Sequence, residues 1–252
     1  MKKWISLHLK LLSLSFIILK SASGQTISPD SVLRAGVNNA NALYTKAIGQ
    51  QLPLNNGPEY SFYSPLEIKR SAYLMDTTFT QGSVHYDGVE YTGIPLLYDL
   101  YKGKLVAILF DQTTKYVLLN GRVQNFDLLG HHFINIDADT LLKNVVLTSG
   151  YYDELYHGQT EVLSKRYKTV EHYTSTTGAQ EAYAYFTATK EEFFIKKDDT
   201  YYKVDGKGDL LSVLKDKKKL LQQYIKAKHI KFNRDQAQAL AGIAAYYDHI
   251  NN

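Results

Sequence analysis

The chain runs to 252 residues and contains no cysteine, which excludes a disulfide framework, a catalytic thiolate, an iron–sulfur cluster and a cysteine-ligated zinc. Its formal charge of +4 resides in the first 24 residues, where Lys2, Lys3, Lys10 and Lys20 meet no acid; taking those four lysines away leaves zero, so charge gives no argument for a nucleic-acid partner. Stability must come from an apolar core, for which this length suffices.

The opening segment reads as a secretory signal peptide, residues 1–24. Lys2 and Lys3 give a positive start, 11–19 is a short, largely apolar run, and Ala22-Ser23-Gly24 supplies small residues before Gln25. That run is far shorter than the roughly 20 apolar residues that span a bilayer, so a membrane anchor is the lesser reading. Ser28-Pro29-Asp30 then has the make-up of a helix start. Leu33, Val37, Ala40, Tyr44 and Ala47 with Ile48 form one stripe, expected to pack on a sheet. Residues 51–66 are rich in turn formers, and Tyr60, Phe62 and Tyr63 are expected to anchor that loop to the core rather than to form a binding edge.

Hairpin punctuation follows. Asp87-Gly88, Lys102-Gly103 and Asn120-Gly121 each separate runs rich in β-branched and aromatic residues, so the spacing predicts an antiparallel meander through 71–137. Residues 105–110 are apolar without interruption, which predicts a strand covered on both faces at the sheet's centre. A second β-rich stretch comprises 151–156 and 160–163 across His157-Gly158, then 166–173, 182–187, 192–196 and 201–204, with turn signals at Asp198-Asp199 and Asp205-Gly206. The end is helical. Residues 209–228 carry Leu210, Leu211, Leu214, Leu220, Leu221, Tyr224 and Ile225 as apolar positions. Asn233 is expected to cap a second helix, with Gln236 as reciprocal partner and Leu240, Ile243, Ala244 and Tyr247 buried.

The expected fold is α+β: an antiparallel twisted β-sheet or half-barrel meander with one N-terminal helix and two C-terminal helices. The N-terminal helix and loop occupy 25–66. The β domain occupies 67–252, with its helical pair at 209–250, and forms one globular unit with 25–66. An outer-membrane barrel is disfavoured by the polar helices at the end and by the lack of a sustained lipid-facing alternation.

Reactive constellations are scarce. No G-x-S-x-G elbow, S-x-x-K set, phosphate loop or G-x-G-x-x-G occurs. His131-His132, with His157 and His172, is the most metal-like feature, but adjacent strand residues point to opposite faces and rarely grip one ion. No metal site, catalytic residue or cofactor is therefore assigned. A glycosidase needs two carboxylates across a cleft; Glu161 with Glu171, or Asp87 with Asp99, are the pairs that strand pairing could assemble. Lys217, Lys218 and Lys219 make a locally basic helix, read as a solvated face ahead of a contact with anionic membrane surfaces.

The run Tyr86-Asp87-Gly88 with Gly93-Ile94-Pro95-Leu96-Leu97-Tyr98-Asp99-Leu100, and the tail Asp209-Leu210-Leu211, Tyr224-Ile225 and Phe232, resemble uncharacterised secreted proteins of Bacteroidota. The resemblance spans most of the chain after the leader. It carries no catalytic motif, so it implies an exported location and a β-rich body and no activity.

The reading that results is an exported, non-enzymatic envelope protein, periplasmic or extracellular and soluble after cleavage. It binds an envelope ligand or protein through a tyrosine-rich sheet face, for which Tyr86, Tyr91, Tyr98, Tyr152 and Tyr173 are the candidates. Tyrosine outnumbers phenylalanine by 21 to 10, and its ring can bury while its hydroxyl stays wet. The alternative is a hydrolase acting on cell-surface glycan through a carboxylate pair.

Overall fold

The computed structural model describes residues 53–251 apart from 65, 76, 109–112, 142–145 and 175–181, together with six helical positions between 33 and 43. The chain divides into two units, 1–38 and 39–252. In the first, Leu33, Gly36 and Val37 are helical; the signal-peptide segment lies outside the described residues. The stripe expected to bury on a sheet is exposed at Leu33, Val37 and Ala40, the positions of it that are described.

The second unit carries the strands β1 (Ile68–Lys69), β2 (Thr80–Tyr86), β3 (Val89–Asp99), β4 (Lys104–Ile108), β5 (Lys115–Val117), β6 (Val123–Leu128) and β7 (His131–Ile136). Then come β8 (Gly150–His157), β9 (Glu161–Tyr167), β10 (Val170–Thr174), β11 (Ala182–Phe186), β12 (Lys190–Lys197) and β13 (Thr200–Lys203). Three helices close the chain: α1 (Lys207–Val213), α2 (Lys218–Ala227) and α3 (Gln236–His249). The protein is thus α+β, as its sequence predicts. Ten strands form one antiparallel sheet in the order β13-β12-β9-β8-β7-β6-β2-β3-β4-β5, and β1-β11-β10 form a second. Since β13 and β5 are its two ends, the large sheet is open rather than closed into a barrel.

Local chemistry sets the hairpins. Asp87 and Gly88 (φ 51° and 79°) turn β2 into β3, Leu129 and Gly130 (57° and 80°) turn β6 into β7, and Asp198 and Asp199 (50° and 57°) turn β12 into β13. Two consecutive left-handed residues give the turn whose twist matches that of the flanking strands. Asn120-Gly121 is different. It lies in a 3-10 turn (Asn120–Arg122), and neither residue has positive φ. The flanking strands therefore do not pair: β5 lies beside β4, and β6 returns to pair with β2. The expected simple meander is interrupted there, and again at 170–186, which leaves the large sheet to build the small one. That small sheet contains a parallel pair, Ile68 with Ala184 and Lys69 with Tyr185, which hairpin spacing does not announce.

One face of β2, β3, β4, β6, β7 and β8 buries an aromatic core. Phe126 and Phe133 stack at 4.7 Å between ring centroids, with Tyr98 and Tyr151 edge-on to Phe126 at 5.5 and 5.1 Å. Each such ring contributes about 1.5–3 kcal/mol by leaving water. The reverse face of β3 and β4 is also covered, by Tyr60 and Tyr73 against Leu97 and Val106. Leu105, Val106 and Ala107 are thus buried on both faces, as their unbroken apolarity predicts, but β4 is the penultimate strand, not the central one. Its cover on the reverse face comes from the loop at 53–64 together with Tyr73. Val117 N donates to Pro58 O and Tyr60 N to Lys115 O, so this segment also caps the β5 edge. Gly57 crosses so near Val117 that a Cβ would lie 1.8 Å from its carbonyl oxygen.

The C-terminal helices cover Val162, Phe193 and Ile195 at the other end of the sheet with Leu210, Leu211, Leu214, Leu221, Ile225, Leu240, Ile243 and Ala244. The helix expected over 209–228 is broken at Leu214. Lys197 reaches the Val213 carbonyl and pairs with Asp216, which also accepts from the Tyr247 hydroxyl at 2.9 Å. The last helix is capped by Asp235, whose carboxylate accepts from Gln238 N at 2.9 Å, rather than by Asn233. No helix among the described residues is long and apolar enough to cross a membrane.

Candidate functional site

Tyrosine has two distinct uses in this protein. The first is a recurrent pin, in which a hydroxyl donates to a carboxylate. Asp99, fully buried at the end of β3, accepts from the hydroxyls of Tyr60 (2.8 Å) and Tyr63 (2.7 Å) and from the backbone N–H of Tyr101 and Lys102 (2.9 Å each). Four donors on one carboxylate satisfy its charge inside the protein. Burial, reinforced by the Asp99 charge, pushes the Tyr60 and Tyr63 hydroxyls well above the usual tyrosine range. Tyr201 donates to Glu161 and Tyr156 to Asp248 in the same way. Asp248 also accepts from Thr160 N and Oγ1, which fastens α3 to the β8–β9 turn.

These pins dispose of the carboxylate pairs considered from the sequence. Asp87 and Asp99 flank opposite ends of β3, on the order of 35 Å apart at about 3.3 Å per residue, and Asp87 is bound by Arg122. Glu161 stands in the large sheet and Glu171 in the small one, each accepting from a different tyrosine.

The histidines are similarly dispersed. At the start of β7, His131 and His132 point to opposite faces, as strand geometry requires. His132 Nδ1 lies 2.6 Å from Asp127, and His131 Nδ1 2.8 Å from Asp153. Burial opposes ionisation of Asp127, but hydrogen bonds from Ser83 and His132 outweigh it and lower its pKa. His157 pairs with Glu154, and His172 lies exposed on β10. No group of three or more metal-ligating side chains converges among the described residues.

Asp153 is the centre of a buried charge network. Arg166 Nη2 approaches it at 3.0 Å, Arg166 Nε meets Glu191 at 2.9 Å, and Arg166 Nη1 meets His131 Nε2 at 3.2 Å. Arginine can only donate, so Nε2 accepts and Nδ1 carries the hydrogen facing Asp153. Burial raises the Asp153 pKa against the pull of Arg166 and His131. Ser164 stands opposite Asp153 across the β8–β9 pair, but it is fully buried, so no substrate carbonyl can reach its hydroxyl.

The second use of tyrosine is on the surface. The sequence candidates Tyr86, Tyr91, Tyr98 and Tyr152 are core residues, none more than 3% exposed, whereas Tyr173 on β10 is 47% exposed. Register explains its setting. Tyr173 pairs with Tyr183, and Glu171 with Tyr185 two residues along, so all four share one face of the small sheet. The rings of Tyr173 and Tyr183 lie 5.1 Å apart and those of Tyr183 and Tyr185 6.2 Å apart. Lys69 Nζ sits 3.6 Å from the centre of the Tyr183 ring, and the Arg70 guanidinium 4.7 Å from that of Tyr185. Glu171 accepts from the Tyr185 hydroxyl at 2.8 Å and raises its pKa. The opposite face carries Phe186, buried against Tyr63 and Tyr101. The small sheet is thus anchored through one face and offers aromatic rings flanked by charges on the other. Tyr183 and Tyr185 were not singled out from the sequence. The alternation Ala182-Tyr183-Ala184-Tyr185 is the signal that would have found them, because it places two tyrosines on one face.

Among the described residues, two cavities lie apart from the small sheet. One, of about 190 Å³, is lined mainly by apolar side chains including Leu74, Met75, Leu97 and Leu129 and has no carboxylate. The other, of about 410 Å³, is lined by Glu59, Lys102, Lys104 and Asn120, among others. Neither has the facing acid pair of a glycosidase. Lys218 and Lys219 are exposed at the start of α2, and Lys217 half-buried. No family model, curated protein or solved structure matches this chain.

Proposed function

We propose that the protein is an exported, non-enzymatic envelope protein that binds a glycan through the outer face of the small sheet. The observation that carries this reading is the ladder of Tyr173, Tyr183 and Tyr185 with Lys69, Arg70 and Glu171 around it. A sugar ring presents apolar C–H faces that lie on aromatic rings, while its hydroxyls seek charged donors and acceptors. Tyr173 is exposed and Tyr183 and Tyr185 are half-buried, and a partly exposed aromatic cluster rimmed by polar groups is the surface such a ligand requires. The leader-like first 24 residues and the resemblance to secreted proteins of Bacteroidota support the location. The hydrolase alternative has less support, because the acid pairs it invoked are separated and bound to other partners.

Isothermal titration of the chain from Gln25 onward against a panel of envelope polysaccharides tests the reading. Binding to at least one polysaccharide is expected, and Y173A/Y183A should abolish it while the unfolding midpoint stays nearly unchanged. Binding that survives the double substitution overturns the assignment of the face. Glycan hydrolysis by the wild-type chain overturns the non-enzymatic reading.

A further inference from the structure

The cleft between the loop at 58–61 and the β3–β4 turn has a composition that neither the pins nor the tyrosine ladder uses. Its walls are fixed. Val117 N donates to Pro58 O, Tyr60 N donates to Lys115 O, and the Tyr60 hydroxyl is tied to Asp99. Its volume of about 410 Å³ falls within the roughly 300–1,000 Å³ of small-molecule sites. Lys102 and Lys104 both line it, and neither has a carboxylate partner among the described residues, although five other lysine and arginine side chains do.

The two ammonium groups are held by neutral partners. Lys102 Nζ lies 4.6 Å from the centre of the Tyr63 ring and 5.3 Å from that of Tyr60. Lys104 Nζ reaches Asn120 Oδ1 at 3.4 Å, and Asn120 Nδ2 donates to Gly103 O at 3.2 Å, which holds the amide in place. Asp99 cannot serve as the counter-ion at the surface, because it is fully buried and already accepts four hydrogen bonds. The remaining lining is mixed: Glu59 and Ser61 offer an acceptor and a hydroxyl, and Val117 and Leu119 an apolar wall.

We propose that this cleft binds a small sugar carrying an acidic group, a carboxylate or a phosphate. Its anionic group pairs with Lys102 and Lys104. Its hydroxyls meet Glu59, Ser61 and the Asn120 amide, and the single acid in the lining selects a polyhydroxylated anion over a bare one. A charge-assisted hydrogen bond is worth more than a neutral one, so the lysines supply most of the discrimination against neutral sugars. The inference is independent of the tyrosine ladder and reads different residues, so either can fail alone.

The test titrates the chain from Gln25 onward at low ionic strength with glucuronate, glucose 6-phosphate, glucose and inorganic phosphate. The two sugar anions should bind more tightly than glucose or phosphate, the carboxylate and phosphate arms showing which acid is preferred. K102Q/K104Q, which removes both charge-assisted contacts, should weaken them about tenfold or more, the equivalent of at least one such bond. K102R/K104R should retain binding, and K218Q/K219Q, which changes net charge equally on an exposed helix, should leave it unchanged. Failure of both sugar anions to bind, binding unaffected by K102Q/K104Q, or phosphate binding as tightly as glucose 6-phosphate would each overturn the proposal.

Discussion

In the large sheet Tyr98 and Tyr151 stand edge-on to Phe126 inside the aromatic core, and Tyr152 packs against Phe194 on the reverse face. In the small sheet Tyr173, Tyr183 and Tyr185 form a ladder whose rings, among the described residues, meet one another and two cations. The strand chemistry is the same in both places, so the residue type does not separate core from surface. What separates them is cover. The large sheet is sealed by the loop at 53–64 at one end and by α1, α2 and α3 at the other. The small sheet is packed through Phe186 on one face, and among the described residues its other face leaves Tyr173 exposed and Tyr183 and Tyr185 half-buried.

The strongest attack on this distinction is truncation in the large sheet. Tyr98→Ala removes a ring that touches Phe126, Phe133 and Tyr151. A loss of about 3–5 kcal/mol is expected, as for other buried aromatics, and urea unfolding measures it. A loss below that of an exposed substitution would mean that the core is not packed as described. Gly158→Ala should come next. Its Cβ would lie 2.4 Å from Asp248 Oδ2 and 2.5 Å from the Tyr156 hydroxyl, so the α3 fastening must shift. A cost of about 1–3 kcal/mol is expected, and hydrogen exchange should show it first in α3.

Alkaline pH gives a graded version of the same test. Burial raises the pKa values of Tyr60, Tyr63, Tyr98, Tyr151 and Tyr201, with neighbouring carboxylates adding to the effect at Tyr60, Tyr63, Tyr98 and Tyr201. The unfolded chain releases these protons near pH 10 while the folded chain keeps them, so their contribution is complete below about pH 10 and falls as pH rises beyond it. Each tyrosine adds about 1.4 kcal/mol per pH unit to that decline. Among the described residues the buried Tyr151 hydroxyl has no hydrogen-bond partner, so Tyr151→Phe should be close to neutral at pH 7 and should flatten the alkaline slope by one such increment. An unchanged slope in urea unfolding across the alkaline range would show that Tyr151 is not sealed.

Turn chemistry and the stripe of the last helix were legible in the sequence, whereas the N-terminal stripe is exposed at Leu33, Val37 and Ala40. Asp87-Gly88 and Asp198-Asp199 form turns where their residue types demand, and Leu240, Ile243, Ala244 and Tyr247 are buried together. Asn120-Gly121 misled because its most frequent turn is only a preference. The Asn120 side chain bonds Gly103 O instead, and the backbone takes a 3-10 turn that sends β6 to β2. The parallel β1–β11 pair rests on a two-residue strand, too short to leave a pattern. In the candidate site, Tyr173 was named from sequence alone, but four core tyrosines were named with it. Alternation tells which residues share a face and not which face another segment covers. That cover comes from 53–64, whose anchoring role was legible in Tyr60 and Tyr63 but whose acceptor, Asp99, lies 39 and 36 positions away.

The smallest expected effect on stability is also the one that bears most on function. Tyr173 is nearly half exposed, and among the described residues its ring contact is with Tyr183. Tyr173→Ala should therefore change stability by no more than about 0.5 kcal/mol. Tyr183→Ala should cost somewhat more, because it also frees the Lys69 ammonium, a contact worth about 0.5–1 kcal/mol at an exposed site. If the ladder exists to bind, polysaccharide affinity should fall in both variants by far more than stability does. If it exists to hold the small sheet together, the melting temperatures should fall while any polysaccharide affinity tracks only the folded fraction. Calorimetry and titration on the same two variants separate these outcomes, since a structural ladder cannot lose binding without losing stability.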